Sequence, residues 1–372
     1  MFCSAETNST PQAPGAYPRH IADAGEHLAR NLAPVLGRPA APKFPFAHRP
    51  GSVVLLDDEL DYLEMLTASL PKHWHVRAFA NADSCLNHLQ QEPPRWERDY
   101  WIQQSIVAAW KQAGSMPDLP RRILDYWARQ PDRFDLTKVC VFDYMLPGPM
   151  SGLDALAELV DWPGHRVLIT GAFDDNLAIN AFNRGLIDQF LTKQSAQTHD
   201  QIAGVVDGMM RRCDERAHMI WASTLNPDQA ELLRDDSIAR DLRDFAERTW
   251  SEWICIGKPF GVLGQDHWGG VSWLQLQPAS SLHRAASEAA DSGFAAKDVR
   301  AIGEGRCVTD IEFQHGLGRP DGECSVLPAF YIGESAALLG AIQKVHSARG
   351  VGFDLLGYRT WLDQPARSQA RG

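Results

Sequence analysis

The feature that most constrains this chain is a set of short apolar runs, each closed by a polar side chain and separated from the next by a helical pattern. SVVLLDDE ends in Asp57 and Asp58, KVCVFD in Asp143, RVLIT in Thr170 and QFLTK in Lys193, while HVRAFA supplies a further run. Runs of this length with no polar alternation suit strands buried on both faces. Between them lie ELDYLEMLTASL, NADSCLNHLQQ, GLDALAELV and NLAINAFNRG, each with helical periodicity. Strands alternating with ten-residue helices require crossover connections, and hence a doubly wound parallel sheet. Functional groups of such sheets collect at the carboxyl ends of the strands, where these five side chains fall.

Three carboxylates brought to one sheet edge repel strongly unless a cation sits among them. An oxygen-only set without His or Cys selects a hard ion, and few carboxylates with room for water and phosphate favour magnesium. Add a hydroxyl and a lysine, and one carboxylate can attack a phosphoryl group while its neighbours neutralise the oxygens.

These residues, in this order, resemble the receiver domains of two-component response regulators. VVLLDDE, VCVFDYMLPGPMSG, LITGAFDDNLAINAFNRG and QFLTKQS carry the resemblance, with 27 residues from Asp143 to Thr170 and 23 from Thr170 to Lys193. It covers about residues 52–95 and 137–200. It implies a flavodoxin-like five-stranded receiver in which Asp143 is the phosphoacceptor and catalyses its own phosphorylation and dephosphorylation with Thr170 and Lys193. It further implies that Asp57, Asp58, Asp143 and the backbone carbonyl of Met145 hold magnesium, that Thr170 is the switch hydroxyl, and that Phe190 is the aromatic coupled to it. The implied partner is a sensor histidine kinase or a phosphotransfer protein, with homodimerisation on phosphorylation. For Phe190, plain core packing is an equal reading, and a degenerate, unphosphorylated receiver is the alternative for the whole site.

The sequence departs from the pattern in three places. Gln194 stands where a proline usually follows the lysine, and a cis bond without proline costs about 3 kcal/mol, so that loop is expected to differ. PGPMSG is one residue longer than usual. Residues 92–136 hold Trp96, Trp101, Trp110 and Trp127 in two helical pieces broken by GSMPDLP, and read as an inserted helical hairpin whose tryptophans pack, with a partner-binding face as the alternative.

Outside the receiver, residues 1–51 read as an extension with a possible helix at 21–36 and a linker, APKFPFAHRPG. The receiver is assigned to 52–196. Residues 197–254 are expected to form two long helices, 197–222 and 227–253, as a connector serving as spacer or dimer contact. They carry 7 Lys/Arg against 12 Asp/Glu. Residues 255–372 read as a small α+β output domain in which LHRAASEAADSG and SAALLGAIQKVHS are helical. In the same segment VTDIEF and FDLLGYRTWL are strand-like, and KPFGVLGQDHWGGVSWL is a hairpin turning at DHWGG. Asp310 and Glu312 are expected on one face of a strand, as solvated acids or, less simply, as metal ligands of a nucleotide-handling site. The histidines at 267, 283, 315 and 346 lack ligand spacing.

The net charge of −11 argues against nucleic acid and anionic membranes as partners. The output segment, with 11 Lys/Arg and 12 Asp/Glu, shows no basic recognition helix. Protein–protein output is therefore favoured over an enzymatic or DNA-binding one. No run of about 18 apolar residues occurs, no secretory signal is evident, and the seven scattered cysteines suit reduced thiols. The expected location is the cytoplasm.

Overall fold

The computed structural model describes residues 43–171, 175–193, 198–319, 324–346 and 355–364. The possible helix at 21–36 and Gln194 lie outside them. The elements begin with β1 (Ala47–His48), β2 (Ser52–Leu56), α1 (Leu60–Ser69), β3 (His75–Phe79), α2 (Ala82–Leu89), α3 (Pro93–Gln112) and α4 (Leu119–Arg129). Next come β4 (Thr137–Asp143), α5 (Gly152–Ala157), β5 (His165–Thr170), α6 (Asp175–Asn183), β6 (Gln189–Thr192), α7 (Thr198–Met210), α8 (Glu215–Ala222), α9 (Pro227–Leu232) and α10 (Asp236–Thr249). The rest are β7 (Glu252–Gly257), β8 (Phe260–Gln265), β9 (Val271–Pro278), α11 (Leu282–Asp291), α12 (Ala296–Gly303), β10 (Cys307–Thr309), α13 (Ile311–Gly316), β11 (Val326–Pro328), β12 (Phe330–Ile332), β13 (Leu338–Lys344) and α14 (Tyr358–Leu362).

The expected doubly wound sheet is present. Five parallel strands run in the order β3-β2-β4-β5-β6. Every residue of β2 and β4 is buried, as unbroken apolar runs require when helices cover both faces. One face packs Val53, Leu55, Val139 and Val141 against α1 and α7. The other packs Val54, Leu56, Cys140 and Phe142 against α2 and α5.

The C-terminal half is built on a six-stranded antiparallel sheet, β1-β7-β8-β9-β13-β12. Two readings of the sequence survive there. The β8–β9 hairpin turns through Asp266–Gly270, and the insertion is a helical hairpin, α3 and α4, with Trp96, Trp110 and Trp127 buried. These three share one core with α8, α10 and the antiparallel sheet, whereas Trp101, also expected to pack, is exposed. A buried carboxylate secures the hairpin: Asp99 accepts from Tyr126 Oη at 2.6 Å, Arg49 Nη1 at 2.7 Å and Gln103 Nε2 at 2.8 Å.

Several expectations are corrected. The segment read as linker contributes β1, paired with β7, and buries Phe44 and Phe46. Its prolines forbid a helix but not an edge strand. The two long connector helices are each interrupted, because Asp214 and Asp235 cap new helices at their own backbone N–H groups. The first piece, α7, buries Ile202, Val206 and Met209 against the parallel sheet, so the boundary expected at 196 falls before a helix that completes that sheet's core. The C-terminal sheet likewise begins at Glu252 rather than 255.

SAALLGAIQKVHS, read as helical, contains β13, which pairs with both β9 and β12. A short apolar run does not distinguish helix from buried strand without its neighbours. Conversely, Tyr358–Leu362 is helical. Asp310 lies not on a strand face beside Glu312 but at the start of α13, where it accepts from Ser325 N and Gln314 Nε2.

The parallel-sheet domain and the antiparallel sheet are joined by buried contacts rather than by a free connector. Arg133 reaches Glu252, and Tyr358 Oη donates to Gly51 O at 2.9 Å while accepting from His75 N at 3.1 Å. Phe134, Tyr358, Trp361 and Leu362 form a separate aromatic core at this junction.

Candidate functional site

The parallel register places the strand-end side chains together. Asp143, the last residue of β4, pairs with Ile169, so Thr170 stands one step beyond it on β5. Lys193 follows β6, and its backbone N–H donates to Thr170 O at 2.8 Å. After β2, Asp57 N donates to Phe79 O while Asp57 Oδ1 accepts from Glu59 N at 3.0 Å, which fixes that carboxylate at the strand end. The loop after β4 is closed by Gly152 N donating to Tyr144 O, and a Cβ on Gly152 would lie 1.8 Å from Asp143 O. Glycine is therefore required at position 152 for the backbone to approach the acid.

Asp57 and Asp143 are buried, Asp58 is exposed, and one oxygen from each lies within 4.8 Å of the others. Among the described residues this is the one grouping of three or more acidic, His or Cys side chains close enough to share an ion. Lys193 Nζ sits between two of them, 2.7 Å from Asp57 Oδ2 and 3.1 Å from Asp143 Oδ1. Asp143 Oδ1 is buried without a well-directed hydrogen bond. A buried carboxylate oxygen in that condition, beside two further carboxylates, fits a hard divalent cation.

Electrostatics agree with the geometry. Burial pushes the Asp143 carboxyl up to about 6, against the pull of Lys193 and with the help of Asp57. Burial would lower Lys193, but its hydrogen bond to Asp57 and the charge of Asp143 outweigh it and raise the ammonium above its ordinary value.

Of the remaining expected residues, Thr170 is buried at the site. Phe190 is half-buried and packs against the core on the α2–α5 face. The side chain of Met145 is exposed on the loop after Asp143. One residue escaped the sequence reading: Tyr62 on α1, whose ring centroid lies 4.4 Å from Lys193 Nζ. The available signal was an aromatic in the first turns of the helix that follows the paired acids.

No protein-family profile and no curated protein matches the chain. Solved structures do. The response regulator LqsR of Legionella pneumophila aligns over 87% of this chain and 97% of its own, with a TM-score of 0.65 and 20% identity. The beryllofluoride-activated receiver domain of Klebsiella pneumoniae RstA aligns over 43% of this chain and 99% of its own, at 16% identity and a TM-score of 0.29. A CheY-like receiver from Methanospirillum hungatei JF-1 aligns over 45% and 96%, at 14% identity and a TM-score of 0.27. The chain thus shares the fold of LqsR over most of its length, with a five-stranded parallel sheet of the receiver fold joined to a C-terminal antiparallel unit.

Proposed function

We propose that this protein is a two-component response regulator that accepts a phosphoryl group on Asp143. The observation that carries the reading is the Lys193 ammonium held between the Asp57 and Asp143 carboxylates, with Thr170 buried beside them. An oxygen of Asp143 attacks the phosphorus of a phosphohistidine on a kinase or phosphotransfer protein. A P–O bond forms, the P–N bond breaks, and the imidazole leaves with the electron pair. Lys193 Nζ neutralises a phosphoryl oxygen, and the Thr170 hydroxyl donates to another. Asp57, Asp58, Asp143 and the Met145 carbonyl would hold magnesium, which supplies charge neutralisation at the phosphoryl oxygens.

The acyl phosphate adds about −1.5 to −2 charge at the sheet edge, drawing Thr170 and Lys193 inward. The receiver is packed directly on the antiparallel sheet, so repacking on the β5–β6 side acts on one body, and output proceeds through a changed protein-binding or self-associating surface. Intact-mass measurement with magnesium and acetyl phosphate tests the first step. Wild type is expected to gain one phosphoryl group and Asp143→Asn none. Equal labelling of both would refute the assignment. Hydrogen exchange and native mass with beryllofluoride test the second step, where an unchanged profile and mass would count against output by repacking.

A further inference from the structure

Where the receiver meets the C-terminal unit, at the amino ends of the parallel strands and away from the acidic cluster, a groove of about 490 Å³ opens. That volume lies within the range of small-molecule sites. Its walls include Trp74 of the parallel-sheet domain and Trp250 and Trp253 of the C-terminal unit, all buried. Its rim carries Trp268, which is 70% exposed.

Trp268 does not hang on a loose loop. Asp266 Oδ1 accepts from Trp268 N at 2.8 Å and from Gly270 N at 2.9 Å, and His267 O accepts from Arg359 N at 2.8 Å. Gly269 has φ +96°, and a Cβ there would meet Leu355 O at 2.1 Å. The turn is therefore fixed by its own backbone and by the segment before α14. It holds a large indole in water at the groove rim, which is a preorganised stacking surface.

Charge in the groove is matched. Arg211 is engaged by Asp207 at 2.9 Å and by Glu247 at 3.1 Å, and Arg359 stands 3.5 Å from Asp363. The polar groups left for recognition are the imidazoles of His73 and His267, because the His48 ring is stacked on Trp253. Burial holds His73 below its ordinary value, with His267 adding to the effect. A neutral imidazole offers one donor and one acceptor.

We propose that this groove binds an uncharged, planar aromatic molecule, stacked on Trp268, whose edge presents both an N–H donor and a carbonyl acceptor to the imidazoles. An anion would face Asp207 and Glu247, and a cation would face Arg211 and Arg359, so net charge of either sign is disfavoured. The ligand would touch both the receiver and the C-terminal unit. Its binding does not depend on phosphorylation of Asp143.

Isothermal titration of the full chain with isoquinolone, naphthoate and N-methylquinolinium tests this. Isoquinolone is expected to bind saturably and more tightly than either ion. Trp268→Ala should weaken it about tenfold, the scale of one lost aromatic stack and its burial. Trp101→Ala, at an exposed indole elsewhere, should leave it unchanged. His73→Ala should also weaken binding. The proposal is overturned if isoquinolone does not saturate, if a charged probe binds more tightly, or if Trp268→Ala matches wild type.

Discussion

Arg133, just before β4 of the receiver, donates to both oxygens of Glu252, the first residue of β7, through Nε at 3.0 and 2.9 Å and Nη2 at 2.8 Å. Both side chains are almost wholly buried, and Gln265 Oε1 accepts a further bond from Nη2 at 2.9 Å. Removing one partner leaves an uncompensated buried charge, whose cost is about 3–5 kcal/mol, whereas replacing both with apolar residues is far cheaper. Arg133→Met is therefore expected to lower the denaturation midpoint strongly, and Arg133→Met with Glu252→Leu to recover much of the loss. A single variant as stable as wild type would show that this pair does not hold the two units together.

Tyr62 acts on Lys193 through its ring. A cation over an aromatic face contributes about 0.5–2 kcal/mol, so losing it should slow phosphorylation by acetyl phosphate roughly 2- to 30-fold. Tyr62→Leu is expected to show that loss and Tyr62→Phe, which keeps the ring, to show little. If both variants slow equally, the hydroxyl is responsible instead.

The raised Asp143 carboxyl has a stability consequence. Its folded value of about 6 exceeds the ordinary 3.8, so the folded state holds the proton more tightly. That contribution is fully present below about pH 4 and is lost as pH rises through about 6. Without magnesium, Asp143→Asn should raise the melting temperature at pH 7.5, with the gain fading toward pH 4. A gain of equal size at both pH values would mean that charge at this position is not the cause.

Lys138 shows the opposite sign. It is buried with Nζ donating to Met210 O at 2.8 Å and Arg49 O at 3.2 Å, and burial lowers its ammonium to about 8. The unfolded chain then binds the proton more tightly between about pH 8 and 10.5, and stability rises with pH across that window. The stability of wild type relative to Lys138→Met should accordingly increase from pH 7 to pH 10 in denaturant titrations. A difference independent of pH would contradict the buried ammonium.

Magnesium should compete with the proton at Asp143. Calorimetric affinity for the ion is expected to fall as pH drops below about 6, and Asp57→Asn should weaken binding at every pH. Affinity independent of pH would place the ion elsewhere.

The acidic site was legible because each component lies at the end of a local apolar run. Asp57, Asp58, Asp143, Thr170 and Lys193 need only a parallel register to meet, and unbroken buried strands impose one. Tyr62 escaped because its role depends on where Lys193 Nζ comes to rest across the cleft, which no spacing encodes.

Beyond the receiver, local pattern ran out sooner. Ala47–His48 and Leu338–Lys344 are strands only because β7, β9 and β12 lie beside them, and Tyr358 is a junction residue only because Gly51 and His75 come within reach of its hydroxyl. The order of apolar runs and their polar ends thus determined the parallel sheet and its candidate chemistry. Tertiary structure alone decided the antiparallel sheet, the packed junction and the indole-lined groove, because pairing and burial between residues hundreds of positions apart leave no periodic trace in either segment.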